Sequence, residues 1–336
     1  MDEIKTQDNI RNTQKTSTGE KVKAILANHS AAIALIFIMI IGIIFRGDVF
    51  FTYSNLMNVL MNNSFIGIIS LGMTLIILTG NIDLAVGSQL ALSGLVAVTL
   101  LNNTESVIIA ILGAILVGAI TGGLSGMAVS YFNIPSFIVT LGTMQIYRSF
   151  AQYFYSGGGV MASATNADTF TNISNYRLFG EIPMPIVYWI ILSLLMVLFT
   201  RKTAFGRHIF AVGSNERATF LSSVNIHKIK IGVFIMSGVL VAIAGVLEAS
   251  RLGSMNSASS GRSYEMDAIA AVVIGGTAMN GGRGSIIGTV FGTLTIGIIN
   301  NLMNLLGVPS FLVGAIKGFI IIGAVMLQKI MSKHKE

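Results

Sequence analysis

Long apolar segments recur along this chain, and they limit its possible folds more than any other feature. From residue 30 onward, apolar windows follow one another at about the length that a helix needs to cross a hydrocarbon core about 30 Å thick. Charged residues make up only 10% of the chain, whereas soluble domains carry about 25%. The sequence therefore predicts an all-α polytopic membrane protein with about ten transmembrane helices in one bundle.

Two of the apolar windows are shorter than the rest. The third and the eighth do not reach across the hydrocarbon core, so we expect them to be broken or half-buried helices. The predicted spans are 30–45, 56–79, 89–101, 106–130, 135–155, 186–200, 231–250, 266–278, 285–305 and 309–328.

Positive charges predict which side of the membrane each loop faces, because lysine and arginine are retained on the cytoplasmic side. Most of the 21 such residues fall on one side if both termini are cytoplasmic. This gives a cytoplasmic tail at 1–28, a transmembrane domain at 29–328 with a cytoplasmic loop at 201–230, and a cytoplasmic tail at 329–336. The net charge of +7 thus reflects topology, and we expect a lipid bilayer, not nucleic acid, around this chain.

The sequence lacks the residues that most enzyme chemistry needs. It has no cysteine and only four scattered histidines, so we expect no disulfide, no metal site and no catalytic residues. It also lacks the Gly-x-x-x-x-Gly-Lys-Ser/Thr loop that holds nucleotide phosphates. We therefore predict a protein that is not an enzyme and binds no cofactor itself. If ATP drives it, another chain binds the nucleotide.

Two loops are long enough to carry a function. The loop at 156–185 is polar and almost uncharged; it caps the outer mouth or meets an external partner, or else it is a disordered connector. The loop at 201–230 has apolar residues at helical spacing, which predicts an amphipathic element at the inner surface. Its predicted apolar positions are Ala211, Ala218, Phe220, Leu221 and Val224.

Asp83 stands between two apolar runs, in the glycine-flanked stretch Gly80 to Ser88. Glycine permits a helix break, and the backbone groups that a break frees must be satisfied by protein or water. Asp83 or Ser88 is then expected to cap the following helix. Contact between Asp83 and a polar solute in a pore is the alternative, and the two roles are compatible. A similar interruption at 275–285 suggests an internal repeat around a transport site.

Four further ionisable residues fall at membrane depth, where a charge normally faces a partner or a water-filled space. Glu248 and Arg251 are three residues apart on one helical face, so we expect an ion pair between them. Arg148 is close enough to a span end to extend toward the interface. Lys317 is deep within its span, and we expect it to pair with a buried carboxylate or with helix carbonyls.

Four segments taken together resemble one known family. They read GNIDLAVGS (80–88), NIPSFIVTLGTMQIYRS (133–149), TAFGRHIFAVGSNERATFLSSVNIHKIK (203–230) and YEMDAIAAVVIGGTAMNGGRGSIIGTVFGTLTIGIINNLMNLLGVPSF (264–311). In order and spacing they resemble the ribose-type ABC sugar importer permeases, within the superfamily of branched-chain amino-acid and monosaccharide permeases.

The resemblance implies a multi-pass subunit of the bacterial plasma membrane and several partners. These are a second permease subunit, in a homo- or heterodimer, two cytosolic ABC ATPase subunits that bind ATP and Mg²⁺, and an extracytoplasmic sugar-binding protein. It also implies that loop 201–230 is the coupling helix that docks into the ATPase. The implied coupling residues are Gly206, Gly213, Asn215, Glu216, Arg217 and Ala218.

This chain departs from the family pattern at two places. Asn81 replaces the second glycine of a Gly-Gly-Ile-Asp run, which leaves the break less flexible. Thr219 and Ser223 replace an alanine and a glycine in the coupling segment, which puts its detailed turn geometry in doubt but not its role.

The resulting functional prediction is import of a monosaccharide, ribose or a similar sugar, by alternating access driven by the separate ATPases. A permease for a branched-chain amino acid or a nucleoside, or an ion-coupled secondary transporter, remains an alternative. The residues predicted to line the translocation path are Asn81, Asp83, Ser88, Gln89 and Lys317.

Overall fold

The computed structural model describes residues 30–333. The tail predicted at 1–28 lies outside this range. The tail predicted at 329–336 is described only as far as Lys333, where it forms the end of a helix.

The described chain is almost entirely helical. Its helices are α1 Ser30–Phe50, α2 Tyr53–Leu78, α3 Val86–Thr104, α4 Val107–Tyr131, α5 Ser136–Phe154, α6 Ala167–Asn175, α7 Met184–Lys202, α8 Ala204–Ser214, α9 Glu216–Leu221, α10 Ile226–Leu252, α11 Tyr264–Ile274, α12 Ile286–Leu305 and α13 Ser310–Lys333. Four short strands form two small antiparallel sheets: β1 Gly159–Met161 pairs with β4 Ser254–Asn256, and β2 Arg177–Leu178 pairs with β3 Ile182–Pro183.

Seven of the described helices are long and apolar enough to cross a membrane: α1, α2, α3, α4, α7, α10 and α12. The other three predicted spans also form helices, α5, α11 and α13, which fall outside this set. The predicted all-helical architecture is therefore confirmed, and seven of the described helices qualify as spans by length and composition. The number of about ten spans stays a prediction.

The prediction of a short third span was wrong, whereas that of a short eighth span was right. Helix α3 has 19 residues and is long enough to cross. The predicted window of 89–101 ended short of the helix on both sides, because polar residues flank it: Ser88 before it, and Asn102 and Asn103 after it. Helix α11 has only 11 residues, or about 16 Å at 1.5 Å per residue, so it reaches only part of the way across.

Two sets of four helices, α2–α5 and α10–α13, show the same packing pattern. In each set the second helix packs on the third and on the fourth, and α2 contacts α12 as α10 contacts α4. Helix α3 therefore corresponds to α11. The break at 80–88 matches the segment before α11, not the interruption at 275–285 with which the sequence had suggested a repeat.

Helices α3 and α11 begin next to each other within the bundle. A Cβ on Gly87 would lie 2.1 Å from the Gly261 carbonyl oxygen, so these backbones touch only because both residues are glycine. The non-helical segment before α11 is held by Arg148, whose Nη1 donates to the Ser257 and Ser260 carbonyls, both at 2.9 Å. Arg148 thus satisfies freed backbone groups inside the protein, as a break at membrane depth requires.

Candidate functional site

The break between α2 and α3 is fixed by short polar contacts. Asp83 is fully buried, and its Oδ1 accepts a hydrogen bond from the Ala85 amide at 2.8 Å. Asn81 Nδ2 donates to the Thr79 carbonyl and hydroxyl at 3.2 and 3.0 Å. The Ile82 amide donates to a serine hydroxyl of α5 at 3.0 Å. Asp83 therefore stabilises the turn just before α3. Its bond goes to the N-cap residue, so the side chain caps no amide inside the helix, and the capping prediction was not met in that form.

Ser88 does not cap this helix. Helix α3 begins at Val86, and its N-cap residue, Ala85, forms no side-chain cap, so Ser88 lies within the first turn and that prediction was wrong. Gln89 is fully buried, and neither its amide nitrogen nor its oxygen has a hydrogen-bond partner among the described residues. The second carboxylate oxygen of Asp83 also lacks a partner there. Unpaired polar atoms at this depth are costly, which sets this region apart from the surrounding core.

Lys317 is paired, as the sequence predicts. Its ammonium group lies 2.8 Å from Oδ1 and 2.9 Å from Oδ2 of Asp267, a buried residue of α11. Asp267 also forms a hydrogen bond with Asn300 of α12. The ion pair joins α13 to α11 and compensates a charge that would be expensive to bury alone.

The predicted ion pair between Glu248 and Arg251 does not form. Glu248 instead accepts a hydrogen bond from the Tyr264 hydroxyl. Arg251 donates to Asn62 Oδ1, and its guanidinium carbon lies 5.8 Å from the centre of the Phe65 ring. The spacing in sequence places Glu248 and Arg251 on the same helical face. In the structure, however, each side chain bonds to a residue of a neighbouring helix instead.

A polar cleft of about 440 Å³ lies between α2, α10, α11 and α12. It is the second feature of the site, and sequence reasoning missed it as a unit. The residues that line it are Asn62, Phe65, Ile66, Glu248, Arg251, Leu252, Tyr264, Asp267 and Asn300. The available signal was the presence of asparagine and glutamate inside apolar windows, but only the fold shows that four separate helices bring them together.

The predicted cytoplasmic loop forms two short helices, α8 and α9. Asn215 caps α9, because its Oδ1 accepts from the Ala218 amide at 2.9 Å. Glu216 forms an ion pair with Lys230 at 2.8 Å, which ties α9 to the start of α10. The amphipathic prediction needs correction, since Phe220 and Leu221, predicted on its apolar face, are 65% and 76% exposed. The residues that α8 buries against the bundle are Gly206, Ile209 and Val212.

Helix α8 contacts the break after α2 through Gly213. A Cβ at this position would lie 1.8 Å from the Leu78 carbonyl oxygen and 2.5 Å from the Gly282 nitrogen. The Gly282 amide in turn donates to the Leu78 carbonyl at 2.9 Å. Three segments distant in sequence therefore meet at one point, which we call the Gly213 junction.

The loop at 156–185 is ordered, and the disordered-connector alternative was wrong. It contains α6, whose Ser174 donates to the Leu247 carbonyl at 2.7 Å, and it pairs β1 with β4. At the turn between β2 and β3, Phe179 is 88% exposed.

Comparison with known proteins identifies the family. The model of a permease family, described as branched-chain amino acid transport system / permease component, matches residues 55–325. The ribose import permease protein of Escherichia coli strain K12 is 39% identical over 318 residues, covering 94% of this chain and 98% of that protein. The chain belongs to this permease family. It is a multi-pass protein of the bacterial inner membrane.

Other relatives of this permease carry similar names. The ribose import permease protein of Haemophilus influenzae is 39% identical over 311 residues, which cover 92% of this chain and 95% of the relative. The D-allose transport system permease protein of Escherichia coli strain K12 is 34% identical over 287 residues, with 85% and 86% of the two chains covered. No solved structure gives a significant match.

Proposed function

We propose that this chain is the membrane-spanning subunit of an ABC importer that translocates a monosaccharide, ribose or a similar sugar. The observation that carries the proposal is the 39% identity to ribose import permeases over more than nine-tenths of both chains. Relatives named for allose and galactose support a sugar as the solute class.

Two cytosolic ATPase subunits, which bind ATP and Mg²⁺, supply the energy, and the α8–α9 pair is where they dock. The exposed apolar side chains of Phe220 and Leu221 on α9 support this assignment, because exposed apolar groups on a short protruding helix suit a protein interface. The cap at Asn215 and the ion pair of Glu216 hold α9 in place. The contact at Gly213 then transmits the movement of α8 and α9 to the bundle. Gly206 allows α8 to pack closely on the end of α7.

Both termini and the α8–α9 segment face the cytoplasm in this proposal, with about ten spans between them. The concentration of lysine and arginine at the chain ends and in 201–230 supports this orientation. The cleft and the ordered loop at 156–185 then face the outside, where a sugar-binding protein delivers the solute to a dimer of permease subunits.

Asn81, Asp83, Ser88 and Gln89 are proposed to line the translocation path. Their burial in the described conformation is compatible with alternating access, in which a path opens on one side at a time. The unpaired atoms of Asp83 and Gln89 support contact with a polar solute. Lys317 contributes through Asp267, with which it is paired.

A branched-chain amino acid is the second candidate solute, because the matching family is described as a permease component of branched-chain amino acid transport. An ion-coupled secondary transporter is less well supported, because the Asp267 carboxylate accounts for Lys317 without a transported ion.

Reconstitution tests the proposal. The permease is placed in liposomes with the ATPase and sugar-binding proteins of its importer, and uptake of labelled ribose, allose, galactose and leucine is measured with and without ATP. We expect ATP-dependent sugar uptake. Uptake by the permease alone, driven by an ion gradient and indifferent to ATP, would contradict the assignment.

A further inference from the structure

We propose that the cleft between α2, α10, α11 and α12 is the first contact site for the sugar, and that Glu248 and Asn300 accept hydrogen bonds from its hydroxyl groups. This inference rests on the proposed function, because it assigns the solute to a neutral polyhydroxylated ring. It adds a binding site that lies apart from the break at 80–88.

The cleft lies at the end of the bundle remote from α8 and α9. Asn62 of the cleft and Leu78 of the Gly213 junction are both on α2, 16 residues apart, or about 24 Å along a helix that rises 1.5 Å per residue. The cleft therefore lies on the opposite side of the membrane from the ATPase, where a delivered solute arrives.

The charged groups of the cleft indicate that its walls face the bundle interior or a water-filled space, not lipid. Glu248, Arg251 and Asp267 all line it, and ionisable groups at membrane depth face a bundle interior or a water-filled cavity. Its volume of about 440 Å³ falls within the range of about 300 to 1,000 Å³ that small-molecule sites occupy.

Two hydrogen-bond acceptors in the cleft have no partner among the described residues: Glu248 Oε2 and Asn300 Oδ1. Glu248 is only 5% exposed, and the Tyr264 hydroxyl donates to its carboxylate. An acceptor that is buried and unpaired costs free energy until a donor arrives. Both oxygens are inaccessible in the described conformation, so we expect them to receive O–H or N–H donors when the cleft walls separate.

The remaining groups favour an uncharged ligand. Arg251 donates through Nη1 to Asn62 and lies over the Phe65 ring, and the Asp267 carboxylate accepts from Lys317, so both charged groups already have partners. A carboxylate ligand would meet two unpaired acceptors, Glu248 Oε2 and Asn300 Oδ1, which is unfavourable. A sugar, whose hydroxyls can all donate, matches the free groups.

The first experiment compares three variants of the complete importer in proteoliposomes, with sugar-loaded binding protein: Glu248→Gln, Asn300→Ala and Asn301→Ala. Asn301 is the matched control, since it adjoins Asn300 but bonds to Asn55 Oδ1 at 2.8 Å instead of lining the cleft. We expect sugar uptake to fall about tenfold or more in the first two variants, the loss typical of removing a charged or buried hydrogen bond.

A second measurement covers the case in which a variant fails to assemble. The natural chain has no cysteine, so Asn300→Cys and Ser254→Cys each introduce a single thiol. A membrane-impermeant methanethiosulfonate reagent is applied from outside to the complete importer, with and without ribose-loaded binding protein. We expect the sugar to slow labelling at position 300 several-fold while position 254, outside the cleft lining, is labelled as before. Free leucine, added without any leucine-binding protein, should not slow labelling at position 300.

The outcomes separate this inference from the proposed function. If the unmodified importer takes up no sugar, the proposed function fails. If it takes up sugar, but Glu248→Gln and Asn300→Ala transport as Asn301→Ala does and the thiol at 300 is not protected, the cleft assignment is overturned and the importer assignment stands.

Discussion

Substitution of Gly213 by alanine tests whether movement of α8 reaches the bundle through the Gly213 junction. The added Cβ would lie 1.8 Å from the Leu78 carbonyl oxygen, whereas real Cβ atoms essentially never have a heavy atom closer than 3.0 Å. Helix α8 or the end of α2 must therefore shift by at least about 1 Å. Such overpacking costs about 1 to 3 kcal/mol, and loss of the bond from the Gly282 amide to Leu78 adds about 1 kcal/mol.

Alanine also favours a helix over glycine by about 1 kcal/mol, and this gain must be separated from the clash. Gly142→Ala provides the control, because Gly142 is likewise inside a helix but a Cβ there would have no heavy atom within 4 Å. Any difference between the two variants then reflects the junction and not helix propensity.

The assay measures three quantities for each variant: the amount of complex in the membrane, ATP hydrolysis with and without loaded binding protein, and sugar uptake. We expect Gly213→Ala to assemble and hydrolyse ATP at the basal rate but to lose at least fivefold in uptake, corresponding to about 1 kcal/mol. Equal uptake per assembled complex in Gly213→Ala and Gly142→Ala would refute the idea that this contact transmits the movement.

Three further predictions follow from named contacts. Ala218→Asp places a charge on the exposed face of α9 and should lower stimulated ATP hydrolysis several-fold at normal membrane levels; unchanged stimulation argues against docking there. Asp83→Ala removes the acceptor for the Ala85 amide and should reduce uptake more than assembly, whereas equal loss of both would leave only the capping role. Lys317→Met leaves Asp267 buried without its cation and should destabilise the protein by about 3 to 5 kcal/mol, seen as a lower melting temperature. Adding Asp267→Leu should recover most of that loss, and no recovery would mean that the pair is not what stabilises α11 against α13.

The sequence was informative wherever a local pattern determines the structure. Apolar length located the helices, and the glycines around Asp83 located a break, because helix formation at membrane depth depends mainly on the residues of the segment itself. The position of Lys317 deep within its span predicted a carboxylate or helix carbonyls as its partner, because a charge so far from the interface must be paired or face water. The family motifs predict a coupling segment at 201–230, but they do not show which of its apolar residues are buried.

Tertiary contacts explain the errors. Helix α3 was judged too short because Ser88 and Asn102 bound its apolar window, although the bundle buries Ser88 and the helix continues past Asn102 to Thr104. The predicted ion pair between Glu248 and Arg251 rested on spacing within one helix. It missed Asn62 and Tyr264, which approach from other helices and bond to these side chains. The cleft could not be predicted for a related reason, since its lining comes from positions more than 200 residues apart in the chain.

The two candidate sites are connected by helices that contribute to both. Helix α2 carries Asn62 in the cleft and ends at Leu78 in the Gly213 junction. On the other side, Gly282 of the junction lies between α11 and α12, which carry Asp267 and Asn300 into the cleft. A packed helix moves as a rigid unit, so a displacement of α8 that tilts α2 against α11 and α12 must change the separation of the cleft walls. Coupling through these shared helices requires no additional element, and it predicts that variants of the junction and of the cleft affect the same step of transport and are not additive.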